Sequence, residues 1–352
     1  MIKLLADGSL PHLDTCFGAQ FQITYYSSPD ELQQRLVNHD ILLCRSTLRV
    51  DGTLLTGSRI RCVATASSGT DHIDAVYLKQ HDITLLDAKG ANARAVTDYV
   101  IACMAYLQHH KILRGLRAGV VGVGAVGSSV TTRLRAIGFD VVSYDPLRAM
   151  YDTDFETCDV QALFDCDVIC LHPNLHKDEP YASYHLLDAI FLSHLKPHTV
   201  IINASRGHVV DEVALLTHGK QVVYCTDVYA AEPDIHPGIV AYATLCTPHI
   251  AGHSIEARRN ALVLLSQKIH TVCGLPWLEP QEHSNKVGLE GARFSCWQDA
   301  VLSVYDPMQD TSALKHAVDL SKQFIERRRA HHRHDFRDYE LTADHRLQDA
   351  LG

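Results

Sequence analysis

The chain has 352 residues, of which 46% are hydrophobic and 21% are charged, and its net charge is −9. This composition excludes a disordered protein, a collagen-like fibre and a coiled-coil rod, and the length allows about two or three domains. The negative charge argues against a dedicated nucleic-acid-binding protein. No apolar run approaches the roughly 18–20 residues that span a bilayer, and no signal-peptide core is recognisable, so no membrane segment is expected.

Eleven cysteines are scattered along the chain, and the 23 histidines show no metal-ligand spacing. An odd number of cysteines without a Cys-x-x-Cys pair predicts reduced thiols and a cytoplasmic protein. Asp71 and His72 are adjacent and could suggest a metal site. Because no further ligands lie near them in sequence, a hydrogen-bonded loop pair is the favoured interpretation, and no metal is predicted.

Short apolar runs alternate with helical patterns over the first ninety residues. Strands are predicted at residues 2–5, 40–44, 62–66 and 83–87, and a helix at residues 31–39. Strands that alternate with helices are typical of βαβ units and a parallel sheet.

A helix of about four turns is predicted over residues 92–108, and a second βαβ series begins at Gly119. Its further strands are predicted at residues 141–144, 168–171, 200–203, 222–225 and 244–246. Another long helix is predicted over residues 254–272, after which the βαβ rhythm is lost. The fold class predicted is therefore α/β, with two doubly wound parallel-sheet (Rossmann-like) domains and a small C-terminal module.

A dinucleotide-binding fingerprint, Gly122-x-Gly124-x-x-Gly127, follows an apolar strand and precedes a predicted helix at residues 128–137. The first glycine permits a tight turn, the second lets the backbone approach a pyrophosphate, and the third lets helix and strand pack closely. The alternative is a set of ordinary turn glycines. The residues predicted to bind the cofactor are Gly122, Gly124, Ala125, Val126, Gly127, Asp145, Ala204, Ser205, Asp227 and Gly252.

Asp145 ends the strand that follows the fingerprint. A carboxylate there accepts hydrogen bonds from the adenosine ribose hydroxyls and repels a 2′-phosphate, so NAD is favoured over NADP as cofactor. Arg148 lies close in sequence, and its charge opposes that preference. The alternative role for Asp145 is to cap a loop.

Three polar segments each follow a predicted strand of the second series: Asn203-Ala-Ser-Arg-Gly207, Asp227-Val-Tyr-Ala-Ala-Glu-Pro233 and Thr247-Pro-His-Ile-Ala-Gly252. Hydride transfer from a secondary alcohol needs a base, a carboxylate that orients the base, and a cation that binds the substrate. His249, Glu232 and Arg206 could supply these, and the planar guanidinium of Arg206 suits a carboxylate. Taken singly, each also has an ordinary structural role, as a buried histidine, a loop carboxylate or a surface ion-pair partner.

These motifs resemble the NAD-dependent D-2-hydroxyacid dehydrogenase family over residues 40–272. The resemblance implies that Arg206, Glu232 and His249 are catalytic. It also implies a substrate domain in two pieces, residues 1–93 and 254–285, on either side of an NAD-binding domain at residues 94–253.

A narrower resemblance is to a branch of this family that oxidises a phosphorylated 2-hydroxy acid. It rests on Cys44-Arg-Ser-Thr47, Thr65-Ala-Ser-Ser-Gly-Thr-Asp-His-Ile-Asp74, Gly90-Ala-Asn-Ala-Arg94, Pro248-His-Ile-Ala-Gly252, Val304-Tyr-Asp306 and Phe324-Ile-Glu-Arg-Arg-Arg329. That branch carries an extra dimerisation domain, which implies a homodimer formed through residues 286–352.

Five residues are predicted to bind the substrate. Ser46 and Ser67 match the substrate-binding positions of that branch, and His253 stands where its members have a tyrosine that contacts the substrate. Arg45 and Arg49 flank Ser46 and are candidates for binding a phosphate. The arginines at 327–329 form either a solvated helix face or a second phosphate contact.

Two alternative functions remain open from the sequence. One is another D-2-hydroxyacid dehydrogenase, such as a phosphoglycerate dehydrogenase, which also needs a phosphate site. The other is a non-enzymatic NAD(H)-sensing module that recruits protein partners. A turnover assay separates the second from any enzyme.

Overall fold

The computed structural model describes residues 1–11, 13–219, 221–280, 287–288, 294–336 and 339–340. The chain divides into two compact units. Unit 1 comprises Met1–Asn92 and Ile255–Ser284, and unit 2 comprises Ala93–Ser254 and Asn285–Gly352. None of the helices formed by the described residues is long and apolar enough to cross a membrane.

Unit 1 contains a five-stranded parallel sheet in the order β2-β1-β3-β4-β5. Its strands are β1 (Ile2–Asp7), β2 (Phe21–Tyr26), β3 (Ile41–Cys44), β4 (Cys62–Thr65) and β5 (Thr84–Asp87). Its helices are α1 (Leu13–Cys16), α2 (Pro29–Leu36), α3 (Gly52–Leu55), α4 (Ala75–Gln80) and, from later in the chain, α11 (Ile255–Val272).

Both faces of the unit 1 sheet are covered by helices, which explains why its central strands are continuous apolar runs. Successive residues of a strand point to opposite faces. Leu4 therefore packs in a core with Leu262 of α11, whereas Leu5 packs on the other face with Leu32 of α2.

Unit 2 contains a six-stranded parallel sheet in the order β11-β10-β9-β8-β6-β7. Its strands are β6 (Arg117–Val121), β7 (Asp140–Tyr144), β8 (Val168–Leu171), β9 (Val200–Asn203), β10 (Val223–Thr226) and β11 (Leu245–Cys246). Its helices are α5 (Ala93–His109), α6 (Ala125–Ala136), α7 (Pro146–Ala149), α8 (Ala189–His194), α9 (Glu212–His218) and α10 (Pro237–Tyr242), with 3₁₀ turns at Val160–Leu163 and Gly207–Val209.

The strand order of unit 2 reverses at β6, because β7 lies on one side of it and β8 on the other. In such sheets the ligand binds beyond the carboxyl ends of the strands, beside the reversal. The glycine-rich fingerprint follows β6 and therefore lies at this point. The two sheets confirm the predicted fold class of two doubly wound parallel-sheet domains.

Three further helices follow: α12 (Trp297–Val304), α13 (Pro307–Lys315) and α14 (Leu320–Ala330). They pack on unit 2, where Val301 joins the core that contains α5 and Phe324 joins the core on the other face of the sheet. Two short segments, β12 (Val287–Gly288) and β13 (Tyr339–Glu340), pair in parallel. The C-terminal domain predicted at residues 286–352 lies partly outside the described residues.

Candidate active site

The glycine fingerprint forms a tight loop between β6 and α6. Gly122 has φ +78°, and a Cβ there would lie 2.5 Å from the backbone nitrogen of Pro173. A Cβ on Gly127 would lie 2.1 Å from the carbonyl oxygen of Gly122. Gly124 differs, because a Cβ there would meet nothing within 4 Å. The space beside Gly124 is thus open and adjoins the N-terminus of α6 at Ala125 and Val126, which fits a pyrophosphate.

Asp145 ties this loop to the end of β7. Its Oδ2 accepts a hydrogen bond of 2.7 Å from the amide of Val123, and its Oδ1 accepts one of 2.9 Å from the amide of Arg148. It therefore caps α7, the alternative considered from the sequence, while it also braces the glycine loop. Contact with a ribose stays a prediction.

The charge of Arg148 is engaged within unit 2. Its Nε donates to Asp152 at 2.8 Å, its Nη1 donates to the carbonyl of Val123 at 2.8 Å, and its guanidinium lies 4.3 Å from the ring centroid of Phe155. These contacts oppose a role in binding a 2′-phosphate and favour the predicted preference for NAD.

His249 and Glu232 form a direct pair. His249 Nδ1 lies 2.6 Å from Glu232 Oε2, and Glu232 Oε1 accepts a hydrogen bond of 2.9 Å from the amide of Tyr229. Both residues lie in loops that follow the carboxyl ends of neighbouring strands, β10 and β11. The pair has the geometry of a base oriented by a carboxylate.

Glu232 stays ionised despite burial that leaves 19% of its side chain exposed. Burial raises the pKa of this carboxyl, but the charge of His249, its hydrogen bond and that of the Tyr229 amide, and the charge of Arg328 lower it. The net pKa lies below the ordinary value. Arg328 belongs to α14, so the C-terminal helices act on the electrostatics of this site.

Asp227 holds the backbone of the loop that carries His249. Its Oδ1 accepts hydrogen bonds from Thr247 Oγ1 at 2.7 Å and from the Ile250 amide at 2.8 Å, and its Oδ2 accepts one of 2.8 Å from the Ala251 amide. Burial raises the pKa of Asp227 to about 6, although the charge of His249 and these hydrogen bonds oppose the shift. Asp227 therefore has a positioning role that the sequence did not suggest.

Tyr99 extends this network into α5. Its hydroxyl lies 2.8 Å from Thr247 Oγ1, and it donates because Thr247 already donates to Asp227. The sequence analysis missed both residues. Thr247 begins the histidine motif and could have been noticed there, whereas Tyr99 lies 148 residues away and carries no local signal.

Arg206 follows β9, beside the loop that leads to Glu232. Asn203 shapes this turn, because its Nδ2 donates to the Arg206 carbonyl at 3.0 Å and its Oδ1 accepts from the Ser205 amide at 3.1 Å. A Cβ on Gly207 would lie 1.9 Å from the carbonyl carbon of Tyr229. Glycine is therefore required where the two loops touch.

The other unit 2 candidates lie in these same loops. Ala204 and Ser205 precede Arg206, and Gly252 and His253 end the histidine loop, where the His253 amide donates to the Ile250 carbonyl at 2.8 Å. Unit 2 therefore brings the catalytic and cofactor candidates to the carboxyl end of one sheet.

Unit 1 carries the remaining substrate candidates at the carboxyl ends of β3 and β4. Arg45 and Ser46 directly follow β3, and Arg45 Nε lies 3.1 Å from Asp7 Oδ2. Ser67 follows β4, and its carbonyl accepts from the Ala88 amide at 3.1 Å. Arg49 pairs with Asp51 at 3.0 Å, but 80% of its side chain is exposed.

The Asp71–His72 segment shows an ordinary hydrogen bond, in which His72 Nε2 lies 3.0 Å from Thr65 Oγ1. Across the described ranges, no group of three or more His, Cys, Asp or Glu side chains could hold a metal ion.

The fold and the site define a dehydrogenase of the 2-hydroxyacid class. Residues 102–251 match the family model of the D-isomer specific 2-hydroxyacid dehydrogenase, NAD binding domain. Among solved structures, NAD⁺-bound 3-phosphoglycerate dehydrogenase of Entamoeba histolytica is similar in fold, with a TM-score of 0.65 and 21% identity over 78% of this chain and 96% of that one.

Curated relatives give the narrower assignment. Erythronate-4-phosphate dehydrogenase of Legionella pneumophila (strain Philadelphia 1) is 48% identical over 96% of each chain. The enzyme of that name from Coxiella burnetii (strain RSA 493) is 34% identical over 97% of this chain and 95% of its own. The chain belongs to the erythronate-4-phosphate dehydrogenase family. This is the branch that the sequence motifs resembled.

Proposed function

We propose that this protein oxidises the C2 hydroxyl of 4-phospho-D-erythronate with NAD, giving (R)-3-hydroxy-2-oxo-4-phosphobutanoate. This reaction belongs to the route to pyridoxine 5′-phosphate. The observation that carries the proposal is the 2.6 Å contact between His249 and Glu232, at the carboxyl end of the same sheet that carries the glycine loop. The high identity to relatives named for this substrate supports it.

His249 is the proposed base. Glu232 Oε2 accepts a hydrogen bond from the Nδ1–H of the neutral imidazole, which leaves Nε2 without a proton and able to accept the one on the C2 hydroxyl. The carboxylate then stabilises the imidazolium that forms. Because the pKa of Glu232 is lowered, the carboxylate keeps this role over the whole range in which an imidazole titrates.

Arg206 is the proposed substrate cation. Its guanidinium would bind the C1 carboxylate through two parallel hydrogen bonds and polarise the C2 oxygen. The turn set by Asn203 and Gly207 fixes where this side chain leaves the backbone.

Bound NAD would supply the acceptor for the hydride that leaves C2. The glycine loop and the start of α6 would hold its pyrophosphate, and Asp145 would bind its adenosine ribose. The proposed contacts on the nicotinamide side are Ala204, Ser205, Asp227 and Gly252.

The substrate phosphate is proposed to bind in unit 1. Arg45 and Ser46 follow one buried strand and Ser67 follows its neighbour, which places a cation and two hydroxyls at one sheet edge. Arg49 is the weaker candidate because of its exposure. We also propose that the protein is a cytoplasmic homodimer formed through its C-terminal region.

A substrate panel tests it directly. NADH absorbance is followed with 4-phosphoerythronate, erythronate, 3-phosphoglycerate, D-lactate and D-glycerate, with a 2-oxo acid trap to draw the reaction forward. We expect the highest kcat/KM with 4-phosphoerythronate and a large loss without the phosphate. Preference for 3-phosphoglycerate would support the alternative dehydrogenase, and no turnover of any acid would support the sensing module.

A further inference from the structure

A buried arginine from the C-terminal segment contacts the loop that carries His249. Arg333 lies beyond α14, only 6% exposed. Its Nη2 donates to the carbonyl oxygen of Ala251 at 2.6 Å and to that of Ala95 at 2.6 Å. Its guanidinium also lies 5.3 Å from the ring centroid of Tyr305.

The segment around Arg333 is fixed to unit 2 at a second point. The Phe336 amide donates to Asp98 Oδ2 at 2.9 Å, and Asp98 Oδ1 accepts a hydrogen bond of 2.7 Å from Arg133. The Phe336 side chain is fully buried in the core that contains α5. Arg333 is therefore held by its own neighbours and not only by the carbonyls it contacts.

Ala251 is held on both sides by charged groups. Asp227 accepts a hydrogen bond from its N–H, in the Ile250–Ala251 peptide, and Arg333 donates to its carbonyl, in the Ala251–Gly252 peptide. This peptide is trans, so the N–H of Gly252 points away from the Ala251 carbonyl. Fixing that carbonyl therefore fixes the direction of the Gly252 N–H.

The guanidinium also affects the strength of that N–H as a donor. A cation that donates to a carbonyl polarises the peptide, and in a buried setting such hydrogen bonds reinforce one another. The Gly252 amide is one of the groups proposed above to bind the nicotinamide side of the cofactor. Its direction and its polarity both depend on Arg333.

We propose that Arg333 is a positioning residue for cofactor binding, which acts through the Ala251–Gly252 peptide and keeps the His249 loop in place. The inference rests on the proposed function only in taking NAD as the ligand, and it does not depend on the identity of the hydroxy acid. It gives the C-terminal segment a part in the active site as well as in folding.

Three variants of the full chain test this inference. Arg333→Met keeps the apolar stem and removes the donor, and Arg333→Lys keeps a cationic donor. Lys322→Met is the matched control, because Lys322 lies in the same C-terminal region with 69% of its side chain exposed. The readouts are the Kd for NADH by fluorescence titration, the Tm, and kcat and KM for NAD.

We expect Arg333→Met to weaken NADH binding by about tenfold or more, which corresponds to about 1.4 kcal/mol. The KM for NAD should rise in parallel. Arg333→Lys should bind NADH more tightly than Arg333→Met but at least about threefold more weakly than the unchanged protein, and Lys322→Met should bind NADH as the unchanged protein does. A purely structural role would lower the Tm and leave the Kd for NADH unchanged below that temperature, which would overturn the inference.

If Arg333→Met does not fold, the NADH affinity of Arg333→Lys tests the inference. A shorter ammonium cannot keep the geometry of both carbonyl contacts, so a loss of threefold or more in NADH affinity supports the inference, and unchanged affinity overturns it. Failure of the proposed function is a separate result, seen as absent turnover of 4-phosphoerythronate by the unchanged protein that still binds NADH.

Discussion

Glu232 divides its two carboxylate oxygens between the Tyr229 amide and the imidazole of His249, and this division fixes the orientation of the imidazole. Backbone, carboxylate and base thus form one chain of hydrogen bonds. Such an arrangement removes the freedom of the base to rotate, and it sets which imidazole nitrogen faces the substrate.

Replacing Glu232 by glutamine tests the electrostatic effect of the carboxylate on His249. A neutral amide no longer stabilises the imidazolium, so the acidic limb of the kcat/KM profile for oxidation should move to lower pH. The measurement is kcat/KM from about pH 5 to 9 for both proteins. An acidic limb at the same pH in both would show that Glu232 does not act on the base.

Asp227 gives a prediction about stability. Folding raises its pKa from an ordinary 3.8 to about 6, so the folded protein binds this proton more tightly than the unfolded chain. Its contribution to the free energy of unfolding is therefore fully present below about pH 4 and is lost as the pH rises through about 6. The loss amounts to about 3 kcal/mol.

Asp227→Asn carries no titrating group and should lack this dependence. Urea unfolding at several values between pH 4 and 7 gives the difference in the free energy of unfolding between the two proteins. As the pH rises, Asp227→Asn should become more stable relative to the unchanged protein. A constant difference would contradict the raised pKa.

At the scale of elements, the glycine loop before α6 contains one glycine needed for packing, Gly127, and one proposed to make room for the cofactor, Gly124. Gly127→Ala forces a Cβ to within 2.1 Å of a carbonyl oxygen and should lower the free energy of unfolding by at least about 2 kcal/mol. Gly124→Ala meets no protein atom within 4 Å and should fold normally, yet bind NADH about tenfold or more weakly.

Urea unfolding of the two alanine variants measures their free energy of unfolding, and NADH titration measures their affinity for the cofactor. Equal stability of the two variants would contradict the packing role of Gly127. Unchanged NADH affinity of Gly124→Ala would show that the open space beside α6 is not the pyrophosphate site.

Most strands were predictable because they are buried on both faces and read as apolar runs. The strands at Val168–Leu171 and Val200–Asn203 were predicted to the residue. β2 was missed, because it is an edge strand in which only Phe21 and Tyr26 are buried. The helices α12 and α13 were missed because their buried residues face a core built by distant strands, whereas for α14 the sequence analysis offered only a solvated helix face at residues 327–329.

The residues of the candidate active site likewise fall into those that the sequence reveals and those that it does not. Arg206, Glu232 and His249 follow strands and could be found by their position. Tyr99, Arg333 and the loop-holding role of Asp227 depend on contacts 20 to 238 residues away along the chain, such as the 82 residues between Arg333 and Ala251. Such contacts depend on the packed fold, so the sequence alone did not reveal them.

At the scale of the whole molecule, the C-terminal region is proposed to form the homodimer. Sedimentation of the full chain should give twice the monomer mass. A chain that ends at residue 280 should be monomeric or insoluble, because it loses Leu314 and Phe324 from the core of unit 2. A truncated chain that remains a stable dimer would contradict this role for the C-terminal region.

The central claim is that His249 takes the proton from the C2 hydroxyl of a phosphorylated hydroxy acid. The most direct test is the kcat for 4-phosphoerythronate oxidation by His249→Ala, measured beside its Kd for NADH. The account predicts a fall in kcat of about 10²–10⁴-fold, the scale of general acid–base catalysis, with NADH affinity nearly unchanged. A variant that binds NADH and turns over at a near-normal rate would contradict it.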